Sequence, residues 1–144
     1  MPQWVEQLGL ATSKDLYNWT RHEDNPILRV GKRIGAAIND GYDTQFTSDA
    51  KVFWDRDESH FCMFYFGVGK GGAHIMIAYS KDLVNWVRDP KPVYTAGANP
   101  SGLDRQYAHK ISLVWNPRNE TWYMFYCAVG DAGRGIGLIT SRSL

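Results

Sequence analysis

Ser13-Lys14-Asp15-Leu16-Tyr17-Asn18-Trp19 returns later in the chain as Ser80-Lys81-Asp82-Leu83-Val84-Asn85-Trp86. It opens a third time at Ser141-Arg142-Ser143-Leu144, where the 144-residue sequence stops. Repetition at such spacing marks an array of similar supersecondary units, none able to bury its apolar faces alone. The second and third copies align over most of their length: Met63-Phe64-Tyr65-Phe66 matches Met124-Phe125-Tyr126-Cys127, 61 residues on. At that offset Asp43 falls on Asp104, Gln45 on Gln106, Phe46 on Tyr107, Trp54 on Trp115 and Ser80 on Ser141. The first copy precedes the second by 67 residues, the extra length lying mainly between Gly31 and Gly41.

Each copy reads as strands. Lys51-Val52-Phe53-Trp54 is a short apolar run closed by the turn cluster Asp55-Arg56-Asp57-Glu58-Ser59. His60 to Val68 is rich in aromatic and β-branched residues and breaks at Gly69-Lys70-Gly71-Gly72, after which His74 to Ser80 is a third strand. Lys91-Pro92-Val93-Tyr94 is expected as a short fourth strand, its proline suiting a sheet edge. The third copy repeats the pattern with Ile111 to Trp115, Thr121 to Val129 and Gly135 to Thr140. No window shows sustained helical periodicity.

Four antiparallel strands per repeat define a β-propeller blade. The expected fold is therefore all-β, a partial propeller of about two blades in a single domain. Residues 1–42 form a blade remnant, 43–103 a full blade and 104–144 an incomplete one. The expected strands number about nine, whereas propellers usually have about four to eight blades. The unpaired edges this leaves invite pairing with another chain, so a homo-oligomer, most simply a dimer, is expected. The alternative is a fragment of a longer protein.

Composition narrows the function. The net charge is +1, with no basic block or stripe, so nucleic-acid binding has no electrostatic footprint. No apolar run approaches the roughly 20 residues of a membrane span. The first residues show neither the basic segment nor the apolar stretch of a signal peptide, and no compartment is assigned. Six Trp, eight Tyr and six Phe suit packed sheets or a sugar-binding face. Because Trp19 recurs as Trp86 and Trp54 as Trp115, packing between blades is the expected role. Cys62 and Cys127 fall on equivalent strands of different blades and are read as unpaired, small buried hydrophobes. No CxxC or clustered Cys/His pair signals zinc, and no metal ligand is assigned.

The residues with chemistry lie where each blade's innermost strand would line the channel. Asp43-Thr44-Gln45-Phe46-Thr47-Ser48-Asp49-Ala50-Lys51 and Asp104-Arg105-Gln106-Tyr107-Ala108-His109-Lys110-Ile111-Ser112 are polar where a structural strand would be apolar. They diverge at one place, with Ser48-Asp49 in one copy and His109-Lys110 in the other, as an asymmetric site would. Asp49, near Lys51, is the candidate base or charge stabiliser. Asp43, Asp104, Arg105 and His109 are the candidate substrate-binding residues. Asp43 and Asp104 equally suit turn capping, since both repeats carry them. His109 suits donation to a sugar hydroxyl, holding an ion, or satisfying a backbone group. The glycines of Gly130-Asp131-Ala132-Gly133-Arg134-Gly135 read as hairpin geometry and not as a phosphate cradle.

The pattern resembles the five-bladed propeller glycoside hydrolases: family 43 arabinanases and xylosidases, family 32 invertases and family 130 mannoside phosphorylases. The residues that carry the resemblance are Ser48-Asp49-Ala50-Lys51-Val52, Phe61-Cys62-Met63-Phe64-Tyr65-Phe66-Gly67, and Ile77-Ala78-Tyr79-Ser80-Lys81-Asp82-Leu83-Val84-Asn85-Trp86. The resemblance implies a carbohydrate partner and hydrolysis by paired carboxylates, one protonating the leaving oxygen and the other activating water or attacking the sugar. It places Asp49 on the family's Asp-Pro motif, with Ala50 in the proline's place. It implies an acid Glu on a further blade. Here Glu6, Glu23, Glu58 and Glu120 all fall outside the inner strands as read from the sequence. A central calcium beside a histidine is a further implication, pointing at His109; no other cofactor is expected. Sugar binding without catalysis, as a binding or scaffold module, and an inactive truncated fragment are the alternatives.

Overall fold

In the computed structural model, residues 4–31 and 41–142 are described; most of the loop between Gly31 and Gly41, and the final Ser143-Leu144 of the third motif, lie outside them. Nine strands and no helix occur among the described residues. β1 (Ala11–Thr12) and β2 (Thr20–Arg21) form a two-stranded antiparallel sheet. β3 (Phe46–Asp55), β4 (His60–Gly69), β5 (Gly72–Ser80) and β6 (Val87–Arg88) form one four-stranded antiparallel blade. β7 (Tyr107–Asn116), β8 (Thr121–Gly130) and β9 (Gly133–Ser141) form the next. The architecture is all-β, as the repeat predicts. Among the described residues no helix is long and apolar enough to cross a membrane.

The fourth strand differs from expectation. It begins earlier, at Val87–Arg88, against Tyr79 and Ala78, and the chain returns to β5 only at Val93 and Tyr94, beside Ile75. Pro90 and Pro92 stand between and have no N–H to donate to the ladder, so the edge strand is split in two.

The middle blade is apolar on both faces because it is sandwiched. Strand alternation sends Cys62, Phe64, Ile75 and Ile77 toward the third blade, where Ala108, Ile111, Met124, Tyr126 and Ala128 complete one core. The intervening Met63, Tyr65, Met76 and Ala78 point the other way and pack with Leu28, Leu8, Ile27 and Trp86. Each large apolar side chain buried in this way stabilises the fold by about 1.5–3 kcal/mol. Trp86 thus meets the expectation of packing between blades. Trp19, Trp54 and Trp115 do not; they are 57%, 49% and 40% exposed.

The recurring motif is a self-contained turn. In Ser80 to Trp86, Asp82 Oδ1 accepts the N–H groups of Val84 and Asn85, Asp82 Oδ2 accepts Asn85 Nδ2, and Trp86 Nε1 donates to the Leu83 carbonyl. Ser13 to Trp19 repeats every one of these bonds. The indole is retained because it closes the turn, which explains how Trp19 recurs while standing in solvent.

Candidate functional site

The two inner strands carry the same backbone irregularity. β3 pairs Ser48 with Phe66 and Lys51 with Phe64, and β7 pairs His109 with Cys127 and Ser112 with Phe125, so each holds one extra residue between those pairs. The residue that takes up the extra length is Asp49 (φ 49°) in β3 and Lys110 (φ 51°) in β7. Bulges of this kind bend a strand and re-aim side chains, and they are over-represented beside functional sites. The position at which the two repeats diverge in sequence is therefore the one at which the backbone turns a side chain out of the ladder.

His109 sits at the meeting of two blades. Its ring stands edge-on to Phe66 of β4 at 5.4 Å between centroids and tilts against Tyr107 at 6.0 Å. Phe66 is the cross-strand partner of Ser48, so the ring lies beside the β3 bulge. His109 Nε2 is buried and has no hydrogen-bond partner among the described residues. Burial pushes the imidazole pKa down; the charges of Lys110 and Arg134 act in the same direction, and Asp49 opposes them. The charged groups that act on the His109 ring are thus Lys110, Arg134 and Asp49.

Asp43 and Asp104 occupy matching places in the two repeats, each with its own buried partners. Asp43 Oδ2 accepts the Tyr65 hydroxyl and Arg88 Nη1, each at 2.9 Å. Asp104, fully buried, accepts the Tyr126 hydroxyl at 2.8 Å and the Asn99 N–H at 3.3 Å. Burial and the neighbouring Asp43 carboxylate raise the Tyr65 pKa, keeping it a hydrogen-bond donor. Each aspartate ties the loop before an inner strand to the second strand of its blade. Gly67 leaves room for this loop, since a Cβ there would lie 2.6 Å from Asp43 Cβ.

Arg105 is exposed and forms an ion pair with Asp131. Both line a cleft of about 270 Å³ with Ser101, Leu103 and Arg134. Arg134 therefore borders this cleft and also acts on His109. In sequence Arg134 is hidden within a glycine hairpin, and its one signal is the offset of 61 from Ala73, at the start of the equivalent strand.

Glu6 lies outside the inner strands, as expected, but its backbone touches one of them. Its backbone runs parallel to the start of β3, bridging Phe46 and accepting the Thr47 N–H at 2.9 Å. The bridge between Ala73 of β5 and Tyr107 of β7 is the same contact one blade later. This pairing joins residues forty positions apart and leaves no local trace in sequence. The Glu6 carboxylate itself accepts Trp4 Nε1 at 3.1 Å.

The calcium that the resemblance implies finds a poor setting at His109. Calcium takes about six to eight oxygen ligands. The described groups acting on the ring are two cations, Lys110 and Arg134, against the single carboxylate of Asp49. The cysteines are unpaired, as expected, though Cys127 is only half-buried.

No family model and no curated protein matches the chain. Solved structures do. A glycoside hydrolase aligns over 96% of this chain at 29% identity, with a TM-score of 0.74. A family 117 glycoside hydrolase, Zg3597 of the marine bacterium Zobellia galactanivorans, aligns over 98% at 13% identity and 0.71. A family 32 β-fructofuranosidase of Bombyx mori, in complex with sucrose, aligns over 92% at 16% identity and 0.64. The chain is similar to part of a propeller-type glycoside hydrolase. It spans 36%, 40% and 26% of those three proteins, respectively.

Proposed function

We propose that this chain contributes a carbohydrate-handling face of a glycoside hydrolase, with Asp49 as the carboxylate that acts on the glycosidic bond. The observation that carries the reading is the bulge that presents Asp49 beside a buried, unpartnered His109 Nε2. The Asp49 carboxylate either takes a proton from the attacking water or attacks the anomeric carbon itself, in each case as the bond to the leaving oxygen breaks. His109, neutral at neutral pH, donates to or accepts from a sugar hydroxyl through Nε2. Arg105 and Arg134 supply further donors along the adjoining cleft. We assign Asp43 and Asp104 to holding the loops that frame this face.

The acid of the pair is the missing half, and this favours a second reading: carbohydrate binding without turnover. Glu58 and Glu120 stand in the hairpin turns at the other end of the inner strands, Glu23 in a loop, and Glu6 is engaged by Trp4. A panel of aryl glycosides and unmodified oligosaccharides separates the two. Hydrolysis that disappears in Asp49→Asn supports the first. Saturable binding with no released sugar supports the second. Neither binding nor hydrolysis by a folded chain would end both.

We further propose self-association into a dimer. The outward face of the third blade shows Phe125, Ile136 and Leu138 at 40%, 70% and 48% exposure. The outer edge of β9 pairs with no strand among the described residues. Light scattering on a size-exclusion column decides this; a monomer at all concentrations removes it.

A further inference from the structure

Three metal-ligating side chains meet at the end of the β3–β4 hairpin far from the proposed sugar face. Asp55 closes β3 and lies directly across from His60, which opens β4. Cys62, two residues further along β4, points to the same face. Their ligand atoms all lie within 4.8 Å of one another. The six residues from Asp49 to Asp55, at about 3.3 Å each, put this cluster roughly 20 Å from the inner-strand bulge.

The donors are free to bind and already aimed. Asp55 Oδ1 accepts the N–H groups of Asp57 and Glu58 at 2.9 and 3.2 Å, which fixes the carboxylate and leaves Oδ2 uncommitted. The His60 ring packs on Tyr79 at 5.0 Å, and neither of its nitrogens makes a hydrogen bond among the described residues. Cys62 is 1% exposed and unpaired. Anchoring of ligands by such outer partners is what orients a metal site.

We propose that Asp55, His60 and Cys62 form a binding site for a zinc-class divalent cation, with a fourth position left to water. One thiolate, one imidazole and one carboxylate suit zinc or cobalt(II) far better than calcium or magnesium. Zinc–ligand bonds of about 2.0–2.3 Å place tetrahedral ligand atoms roughly 3.3–3.8 Å apart, so the cluster needs to contract by about 1 Å. His60, at the half-exposed end of the hairpin and held by no hydrogen bond among the described residues, can supply that by side-chain rotation. On binding, the Cys62 thiol releases its proton to solvent and sulfur bonds the metal, with no change of oxidation state. The sequence hides the site, because His60-Phe61-Cys62 is too short a motif to signal zinc, and its third ligand joins only through strand pairing.

Cobalt(II) titration of the full chain tests this, read by the thiolate-to-metal charge-transfer band in the near ultraviolet. The expected result is one equivalent bound, with the band displaced by zinc. Cys127→Ser keeps the band, Cys62→Ser loses it, and His60→Ala binds at least about tenfold more weakly. Absence of the band in the unaltered chain overturns the proposal, as does a band that survives Cys62→Ser or vanishes in Cys127→Ser. Should Cys62→Ser fail to fold, the unaltered chain, His60→Ala and Cys127→Ser still decide.

Discussion

The Tyr126 hydroxyl donates to Asp104 Oδ2 at 2.8 Å, and the same bond joins Tyr65 to Asp43 one blade earlier at 2.9 Å. Both members of the later pair are buried, so removing the donor strands a carboxylate oxygen away from water. Tyr126→Phe is expected to destabilise the fold by about 1–3 kcal/mol, the cost of an unmet buried acceptor. Denaturant unfolding monitored by tryptophan fluorescence measures it. A loss below a few tenths of a kcal/mol would mean that Tyr94, whose hydroxyl lies 3.2 Å from that of Tyr126, takes over the bond.

Asp49→Asn changes the charge at the inner-strand bulge with little change of shape. Asparagine tolerates positive φ as well as aspartate does, so the fold is expected to survive. If Asp49 acts on the glycosidic bond, kcat against a cleaved aryl glycoside falls by about 10²–10⁴ while circular dichroism is unchanged. Retained turnover would remove Asp49 from catalysis.

Leu16 holds φ 67° in the recurring turn while its side chain is 76% exposed. The left-handed conformation costs a branched L-residue about 1–2 kcal/mol, with little burial here to offset it. Leu16→Gly is therefore expected to stabilise the chain by up to about 1 kcal/mol. A lower melting temperature would show that the entropy glycine adds to the unfolded chain outweighs the strain relieved.

Two histidines set an acid limit. His74 Nδ1 accepts the Ala96 N–H at 3.2 Å and its Nε2 lies 2.7 Å from the Lys70 carbonyl, an arrangement that requires the neutral ring. Burial lowers the pKa of His74, and burial, with Lys110 and Arg134, lowers that of His109. The unfolded chain, with its imidazoles near about 6.5, therefore takes up protons first as the pH drops. The stability they contribute is complete above that value and is lost below it. Asp15 and Asp82 are shifted down by hydrogen bonds in their turns, first of all from Asn18 and Asn85. Their contribution is complete above about pH 3.9 and is lost as the pH falls further. Melting temperature against pH should accordingly fall in two stages, and His74→Gln should alter the upper one only. A flat profile between about pH 6.5 and 5 would contradict the neutral assignment.

Much of the fold was legible because its signals are local or periodic. The Asp82 turn is written within seven residues, since every bond it makes stays inside them. The apolar run of β4 announces a strand covered on both faces. The split of the edge strand was less legible: proline forbids a ladder bond at its own position but does not say where the chain rejoins the sheet. Of the candidate site, Asp49 and His109 stood out because two otherwise matching repeats diverge there. Arg134, and the approach of Glu6 to β3, did not.

By itself the sequence determined the repeat, the all-β strand pattern, the turns and the positions of divergence, all of which follow from side-chain alternation and short-range hydrogen bonding. Only the tertiary structure decided which divergent residues face one another. The bulges at Asp49 and Lys110 re-aim side chains by one residue of register, and packing of one blade on the next sets His109 beside Phe66. Strand pairing likewise brings Asp55 opposite His60 and Cys62. These are relations between residues on different strands, and their geometry depends on register and blade contact, which no single stretch of chain encodes.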